Sequence, residues 1–299
     1  MTILVTGGDG QLGTCLKDII NELKNDSNKW VFLSKKDLDI TDIDNVEEVF
    51  DKYEPDYIIN CAAYTNVDNA PNNISKVYQI NMLGPLNLTI CAKYYNAKVI
   101  HISTDFVFDG LKNTPYNTTD NTNPLSVYGI SKLEGEKAIL KHNNSTVIRT
   151  SWLYSEHGNN FFKTMYNRIT NNEFTTVVND QIGTPTYAKD LAEVIYYIIT
   201  YNNFENKVYH YSNEGCCSWY DFAKAIELLI KPDLKPNEGV IQPISTELYK
   251  KINNKKMEKR PIFSVLSKDE IKKYKIGNIP HWLESLKKCI NIYTKKNEV

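Results

Sequence analysis

Apolar positions follow two rhythms along the first two thirds of the chain, and the rhythms alternate. Short continuous runs read as strands buried on both faces. They are Thr2-Ile-Leu-Val5, Trp30-Val-Phe-Leu33, Tyr57-Ile-Ile59, Lys98-Val-Ile-His-Ile102, Thr146-Val-Ile-Arg149 and Val208-Tyr-His-Tyr211. Between them apolar residues recur three and four apart, as at Leu12, Leu16, Ile19, Ile20 and Leu23. That spacing predicts helices over 11–24, 42–53 with Thr41 as N-cap, 74–95, 127–142, 159–170, 188–201 and 218–230, the last capped by Ser218. A further strand is expected at Thr175-Thr-Val-Val178. From Lys231 onward Pro232, Pro236, Pro243, Pro261 and Pro280 interrupt the pattern.

Strand and helix in regular alternation predict an α/β fold, a doubly wound parallel sheet of the Rossmann type. A smaller α/β part is expected beside it. The division read from the pattern gives the nucleotide-binding sheet residues 1–150 with 175–212 returning, and the smaller part residues 151–174 and 213–299.

Composition narrows the picture mainly by exclusion. A formal net charge of -1 gives no push toward nucleic acid or an anionic membrane. The Lys250 to Arg260 run is basic but interleaved with Asn and lacks aromatic stacking platforms, so it reads as a solvated loop. No apolar run is long enough to cross a bilayer and the chain opens into a strand without a signal peptide, so a cytoplasmic location is expected. The six cysteines form neither a CxxC pair nor a Cys/His zinc spacing; they read as reduced thiols, and no metal is expected.

Candidate chemistry sits where the predicted strands end. Gly7, Gly10 and Gly13 follow the first strand and open a helix with Gln11 and Leu12. Residues without a Cβ let a pyrophosphate approach the backbone and the helix N-terminus. The second strand ends in Ser34-Lys35-Lys36 instead of an acid, which favours the 2'-phosphate of NADPH, with NADH as the alternative. Asp39-Ile40 offers a carboxylate and an apolar side chain to an adenine, or a plain loop aspartate. Cys61-Ala-Ala-Tyr64 places small residues at the carboxyl end of the third strand, where a cofactor crosses open sheets.

The fourth strand ends in Ser103-Thr104, and Tyr128 and Lys132 follow at helical i, i+4 spacing. An ammonium beside a phenol favours the phenolate, so Tyr128 is expected to titrate nearer neutrality than about 10. Thr104 would hold a carbonyl oxygen, Tyr128 would protonate it, and Lys132 would tune Tyr128 and grip the nicotinamide ribose.

These residues resemble the extended short-chain dehydrogenase/reductase family, over nearly the whole chain. The resemblance rests on Gly10-Gln-Leu-Gly13, Leu38-Asp-Ile-Thr-Asp42, Asn60-Cys-Ala-Ala-Tyr-Thr65, Ser103-Thr-Asp-Phe-Val-Phe-Asp-Gly110, Tyr128-Gly-Ile-Ser-Lys132, Arg149-Thr-Ser-Trp-Leu-Tyr154, Asp180-Gln-Ile-Gly-Thr-Pro-Thr186 and Arg260-Pro261. It implies reduction of the C4 ketone of a 4-keto-6-deoxy-hexose carried on dTDP or UDP, in a monomer or homodimer. Val67, Thr104, Asp105, Phe106, Tyr128 and Trp152 would meet the substrate, with Trp152 packing on the sugar; from its position alone Trp152 is equally a core residue. Phe106 stands where members usually carry Tyr, Pro71 where Glu is usual, Phe263 where Asn is common. Cys15 stands near the glutamate through which some members bind magnesium at a dimer contact.

Sister activities fit less well. Dehydration needs an acid after Thr104-Asp105, and phenylalanine at 106 cannot serve; epimerisation is disfavoured by the Trp152 and Asp180 to Thr186 segments. A relative of another class, a non-catalytic regulatory subunit, keeps much of the same motif set, but the intact Thr104, Tyr128 and Lys132 favour catalysis.

Overall fold

Six of the apolar runs lie side by side in one parallel sheet. The computed structural model describes residues 1–23, 26–201, 207–235, 238–253, 257–274 and 277–297. Strands β1 (Thr2–Thr6), β2 (Lys29–Leu33), β3 (Tyr57–Asn60), β4 (Lys98–Thr104), β5 (Ser145–Thr150) and β10 (Lys207–His210) pair in the order β10-β5-β4-β3-β1-β2, every pair parallel. The order reverses between β1 and β3, so the loops leaving these two strands part at their carboxyl ends and leave a crevice.

Each sheet face is covered by its own apolar cluster. Helices α1 (Gln11–Glu22) and α7 (Ala188–Thr200) pack on one face around Val5, Ile59 and Ile195. Helices α2 (Ile43–Tyr53) and α4 (Gly84–Tyr94), with α5 (Val127–Ile139), cover the other around Leu4, Phe50, Ile58 and Val99. The N-cap of α2 is Asp42, not Thr41: its carboxylate accepts from the backbone of Asp44 and Asn45, while the Thr41 hydroxyl bonds Asp39. The helix expected over 74–95 is divided into α3 (Ile74–Tyr78), a π-helical turn at Gln79–Leu83 and α4. At that turn the Asn81 side-chain amide bonds the Tyr64 backbone and the Ser131 hydroxyl.

The second layer is built from short strands. Strand β6 (Leu153–Tyr154) pairs with β9 (Thr186–Tyr187), β7 (Thr175–Val178) with β12 (Ile241–Ile244), and β8 (Ile182–Gly183) with β11 (Cys217–Ser218). Helices α6 (Phe161–Thr170) and α8 (Trp219–Ile230) close an aromatic core around Tyr154, Phe162 and Phe222. The segment 175–212 therefore divides: residues 175–187 pair within the smaller layer, and only α7 and β10 rejoin the large sheet.

Elements beyond Lys231 escape the apolar pattern. Pro243 lies within β12, whose pairing is with β7. Helices α9 (Thr246–Asn253), α10 (Asp269–Lys272) and α11 (Trp282–Asn297) follow. Residues 250–253 of the basic run are thus helical, and 254–256 lie outside the described residues. Among the described residues no helix is long and apolar enough to cross a membrane.

Candidate active site

Thr6 ends β1, and Gly7 turns the chain with φ +61°. A Cβ at Gly7 would lie 2.9 Å from the Ala62 nitrogen, and one at Gly13 would lie 2.5 Å from the Gly7 carbonyl oxygen. The turn is therefore packed too closely for side chains, and α1 starts against it. Gly10 caps α1 with no side-chain hydrogen bond, and its first turn carries no acidic residue. Those N–H groups and the positive end of the helix face the crevice unopposed. Gln11 is held from the far side by Asn160, whose amide donates to Gln11 Oε1 at 2.9 Å.

Strand β4 delivers Thr104 to the same crevice. Its hydroxyl accepts from the Phe106 nitrogen at 3.2 Å and donates to Asp105 Oδ1 at 3.1 Å. Asp105 Oδ2 is buried without a hydrogen-bond partner. Burial pushes the Asp105 carboxyl up to about 6, against the pull of hydrogen bonds from Ser264 and Thr104.

Ser126 caps α5 by accepting from Gly129, and the helix then presents Tyr128 and Lys132 one turn apart. The Phe106 ring meets Tyr128 edge to face, with centroids 5.5 Å apart. Behind them Glu136 is clamped by Arg149 at 2.9 and 2.7 Å and accepts from Ser103 at 2.5 Å, which locks α5 to β4 and β5. The lowered Tyr128 expected from its lysine neighbour is not found. Burial raises the phenol to about 12, with the neighbouring Thr104 hydroxyl opposing the rise and Asp105 adding to it. Lys132 is directed elsewhere: its Nζ donates to the Ile102 carbonyl at 2.7 Å and lies 3.4 Å from His101 Nε2.

A cavity of ≈ 540 Å³ joins these pieces. Gly7, Gly10, Gln11, Leu12, Cys61 and Ala63 form one wall. Val67, Thr104, Asp105, Phe106, Tyr128, Lys132 and Trp152 form the rest of the expected set. Gly13, Ala62 and Tyr64 stand behind that wall, Ala62 and Tyr64 bonding Thr6 and Asn81 through their backbones. The β2 group lies outside the cavity. Ser34 Oγ donates to Asp37 at 2.6 Å, and Lys35 sits 3.5 Å from Asp39, which also accepts from Thr41. Ile40 is 4% exposed and packs against Gly84, a core position that leaves little surface for a base.

Residues 1–295 match the family described as the RmlD substrate binding domain. The chain is 39% identical to a dTDP-4-dehydrorhamnose reductase of Aggregatibacter actinomycetemcomitans, covering 90% of this chain and 91% of that one. The chain belongs to the dTDP-4-dehydrorhamnose reductase family. It is also 39% identical to the spore coat polysaccharide biosynthesis protein SpsK of Bacillus subtilis, over 96% of both. A dTDP-4-dehydrorhamnose reductase from Bacillus anthracis, solved in complex with NADP, superposes with a TM-score of 0.87 at 36% identity, covering 97% of this chain and 99% of that one. Membership of this family makes the chain an oxidoreductase acting on a nucleotide-sugar ketone.

Several lining residues fall outside the expected set, and three of them, Thr65, Trp219 and Arg260, bear on the site most directly. Thr65 follows the small-residue turn without a chemistry of its own. Trp219 opens α8 next to Ser218 and reads as helix, yet its ring stacks on Trp152 with centroids 3.7 Å apart. Arg260 ends the basic run read as a solvated loop, and the resemblance names it only as part of Arg260-Pro261, without a role. Instead its Nη2 donates to Asp68 at 2.8 Å, and its buried Nε has no hydrogen-bond partner. All three also line a second cavity of ≈ 540 Å³ that opens toward Arg168 and Tyr249.

Proposed function

We propose that the chain reduces the C4 ketone of dTDP-4-dehydro-L-rhamnose to dTDP-L-rhamnose with NADPH. The observation that carries this reading is the convergence of Thr104, Tyr128 and Lys132 in one cavity whose opposite wall is the glycine turn. The close-packed turn at Gly7 and Gly13 and the uncapped, acid-free start of α1 fit a dinucleotide phosphate. Ser34 and Lys35 offer a hydroxyl and an ammonium to a 2'-phosphate beyond it, and Asp39 flanks the adenine end, with Ile40 buried against Gly84 behind it. When bound, NADPH supplies the hydride that goes to sugar C4.

Every other part of the reaction falls to side chains of this chain. The Thr104 hydroxyl holds the ketone oxygen as it gains charge. Tyr128, kept protonated at neutral pH by its burial, gives that oxygen its proton. The Lys132 ammonium stabilises the phenolate left behind and grips the nicotinamide ribose. Trp152, its faces taken by Trp219 and Gly183, meets the deoxy-sugar with its ring edge, and Val67, Asp105 and Phe106 close the pocket around it. Arg260, with its unpaired Nε, stands between the two cavities, where the charged diphosphate of a nucleotide sugar would cross from one to the other.

NADPH absorbance followed with the purified protein and parallel dTDP- and UDP-linked 4-keto-6-deoxy sugars tests the reading. Oxidation with the dTDP-linked L-sugar is expected; turnover confined to a UDP-linked sugar would correct the nucleotide. No oxidation of NADPH at saturating concentrations of any of them would sink it.

A further inference from the structure

Three polar side chains cross the middle of the apolar sheet at one level. Thr6 stands beside Asn60 in the β1–β3 register, and Asn60 beside His101 in the β3–β4 register. Thr6 and His101 are 0% exposed and Asn60 1%. Polar groups buried this deeply destabilise a core unless they bond one another. Here they bond in series. Thr6 Oγ1 donates to Asn60 Oδ1 at 2.7 Å, and Asn60 Nδ2 faces His101 Nδ1 at 3.0 Å. The row ends at Lys132, whose Nζ is 3.4 Å from His101 Nε2.

Counting donors along the row assigns its protons. The Ala62 N–H donates to Thr6 Oγ1 at 3.3 Å, so the Thr6 hydroxyl proton is free to go to Asn60 Oδ1. That bond turns the Asn60 NH₂ toward His101 Nδ1, which must accept. The ring proton is then on Nε2, aimed at the lysine nitrogen. An N–H aimed at an ammonium is repelled, whereas aimed at an amine lone pair it makes a hydrogen bond. The opposite arrangement turns the Asn60 amide over and takes away the acceptor of the Thr6 proton.

We propose that His101 is a positioning residue that sets the charge of Lys132: the row Thr6–Asn60–His101 holds the imidazole in the tautomer whose Nε2–H faces the lysine nitrogen, which favours amine over ammonium. The inference rests on the reading of Lys132 as part of the reductase site. Burial acts in the same direction, lowering Lys132 to about 8 and holding His101 neutral, well below 6.5. Other groups face Lys132 as well. Glu136 on its own helix and Cys61 after β3 both favour the ammonium. The Glu136 charge is largely taken up by Arg149 of β5. Tyr128 lies one turn back on α5, and Asp105 after β4 acts on Tyr128. Since the ammonium is the form that supports proton release from Tyr128, activity is expected to fall as pH rises through the Lys132 titration.

Asn60→Asp reverses the row. A carboxylate accepts from both the Thr6 hydroxyl and a His101 Nδ1–H, so Nε2 becomes an acceptor toward the ammonium. Two readouts follow in the full-length protein. The ring ¹⁵N shifts of His101, assigned by their loss in His101→Gln, are expected to show the proton on Nε2 in the unmutated protein and on Nδ1 in Asn60→Asp. The Lys132 side-chain titration followed by NMR, and with it the alkaline limb of kcat/KM, is expected to move up by about one pH unit, a tenfold change in proton affinity. A proton on Nδ1 in the unmutated protein overturns the proposal even if Asn60→Asp does not fold. So does an Asn60→Asp protein in which Lys132 titrates unchanged. Failure of the reductase reading alone would abolish the kcat/KM limb and leave both NMR results standing.

Discussion

The indole of Trp152 lies flat on that of Trp219, with 3.7 Å between centroids and 8° between planes. Gly183 backs the other face so closely that a Cβ there would reach within 2.5 Å of the Trp152 ring. Trp152 itself holds φ +48°, in the left-handed region that a bulky residue rarely occupies. A strained backbone and two packed faces fix the ring before any ligand arrives and leave its edge, not a face, for the sugar proposed to bind there.

Trp219→Ala is therefore expected to loosen Trp152 without touching Tyr128, the proposed proton donor. An aromatic pair contributes about 0.5–1.5 kcal/mol beyond its buried area, so the substrate KM should rise roughly 2–10-fold with a smaller effect on kcat. Steady-state kinetics with varied sugar nucleotide check this. A kcat loss at unchanged KM would place Trp219 in the chemistry and not in the wall.

Tyr128→Phe removes the proton but keeps the ring that meets Phe106 edge to face. Turnover is expected to fall by about 10²–10⁴-fold, the usual contribution of a positioned general acid. NADPH binding, followed by cofactor fluorescence, should persist. Near-native turnover would take the proton-donor role away from Tyr128.

Much of this arrangement is legible in the residues themselves, and the parts that are not share a physical reason. The six parallel strands are continuous apolar runs because both faces are covered, and such runs stand out in any window. Ser218 reads correctly as the cap of α8 because a capping box is local: its hydroxyl and the Asp221 carboxylate answer each other across three residues. Helix α11 does not stand out, since Leu286, Cys289 and Ile290 bury one stripe among many lysines. The titration of Tyr128 was equally out of reach. Spacing puts Lys132 one turn away, but where its Nζ points is decided by Ile102 and His101 on a strand about thirty residues upstream. Trp219 and Arg260 join the site from distant segments for which local periodicity carries no information.

The Arg149–Glu136 pair shows how the helix bearing Tyr128 and Lys132 is held. Both side chains are almost fully buried, and Glu136 also takes the Ser103 hydroxyl. Glu136→Gln leaves the guanidinium buried without its counter-charge, so a loss of about 3–5 kcal/mol in unfolding free energy is expected. Urea denaturation measures it. A loss below about 1 kcal/mol would mean that water or His210, 3.4 Å from Arg149 Nη1, takes over the guanidinium.

Asp105 gives the fold a pH dependence of unusual sign for a carboxylate. Its pKa moves from the ordinary 3.8 up to about 6, with burial as the leading cause and one oxygen left without a partner. The folded state thus binds this proton more tightly than the unfolded chain does. The resulting stability is fully present below the unfolded pKa near 3.8 and is lost as pH rises through about 6. Two units correspond to roughly 3 kcal/mol at most. Asp105→Asn keeps the shape and cannot ionise, so its stability should lack this fall between those values. Unfolding free energies of the two proteins across that range are expected to diverge, with the variant gaining on its parent as pH rises. Parallel curves would mean that Asp105 ionises in the fold as easily as in water, which would require a donor for Oδ2.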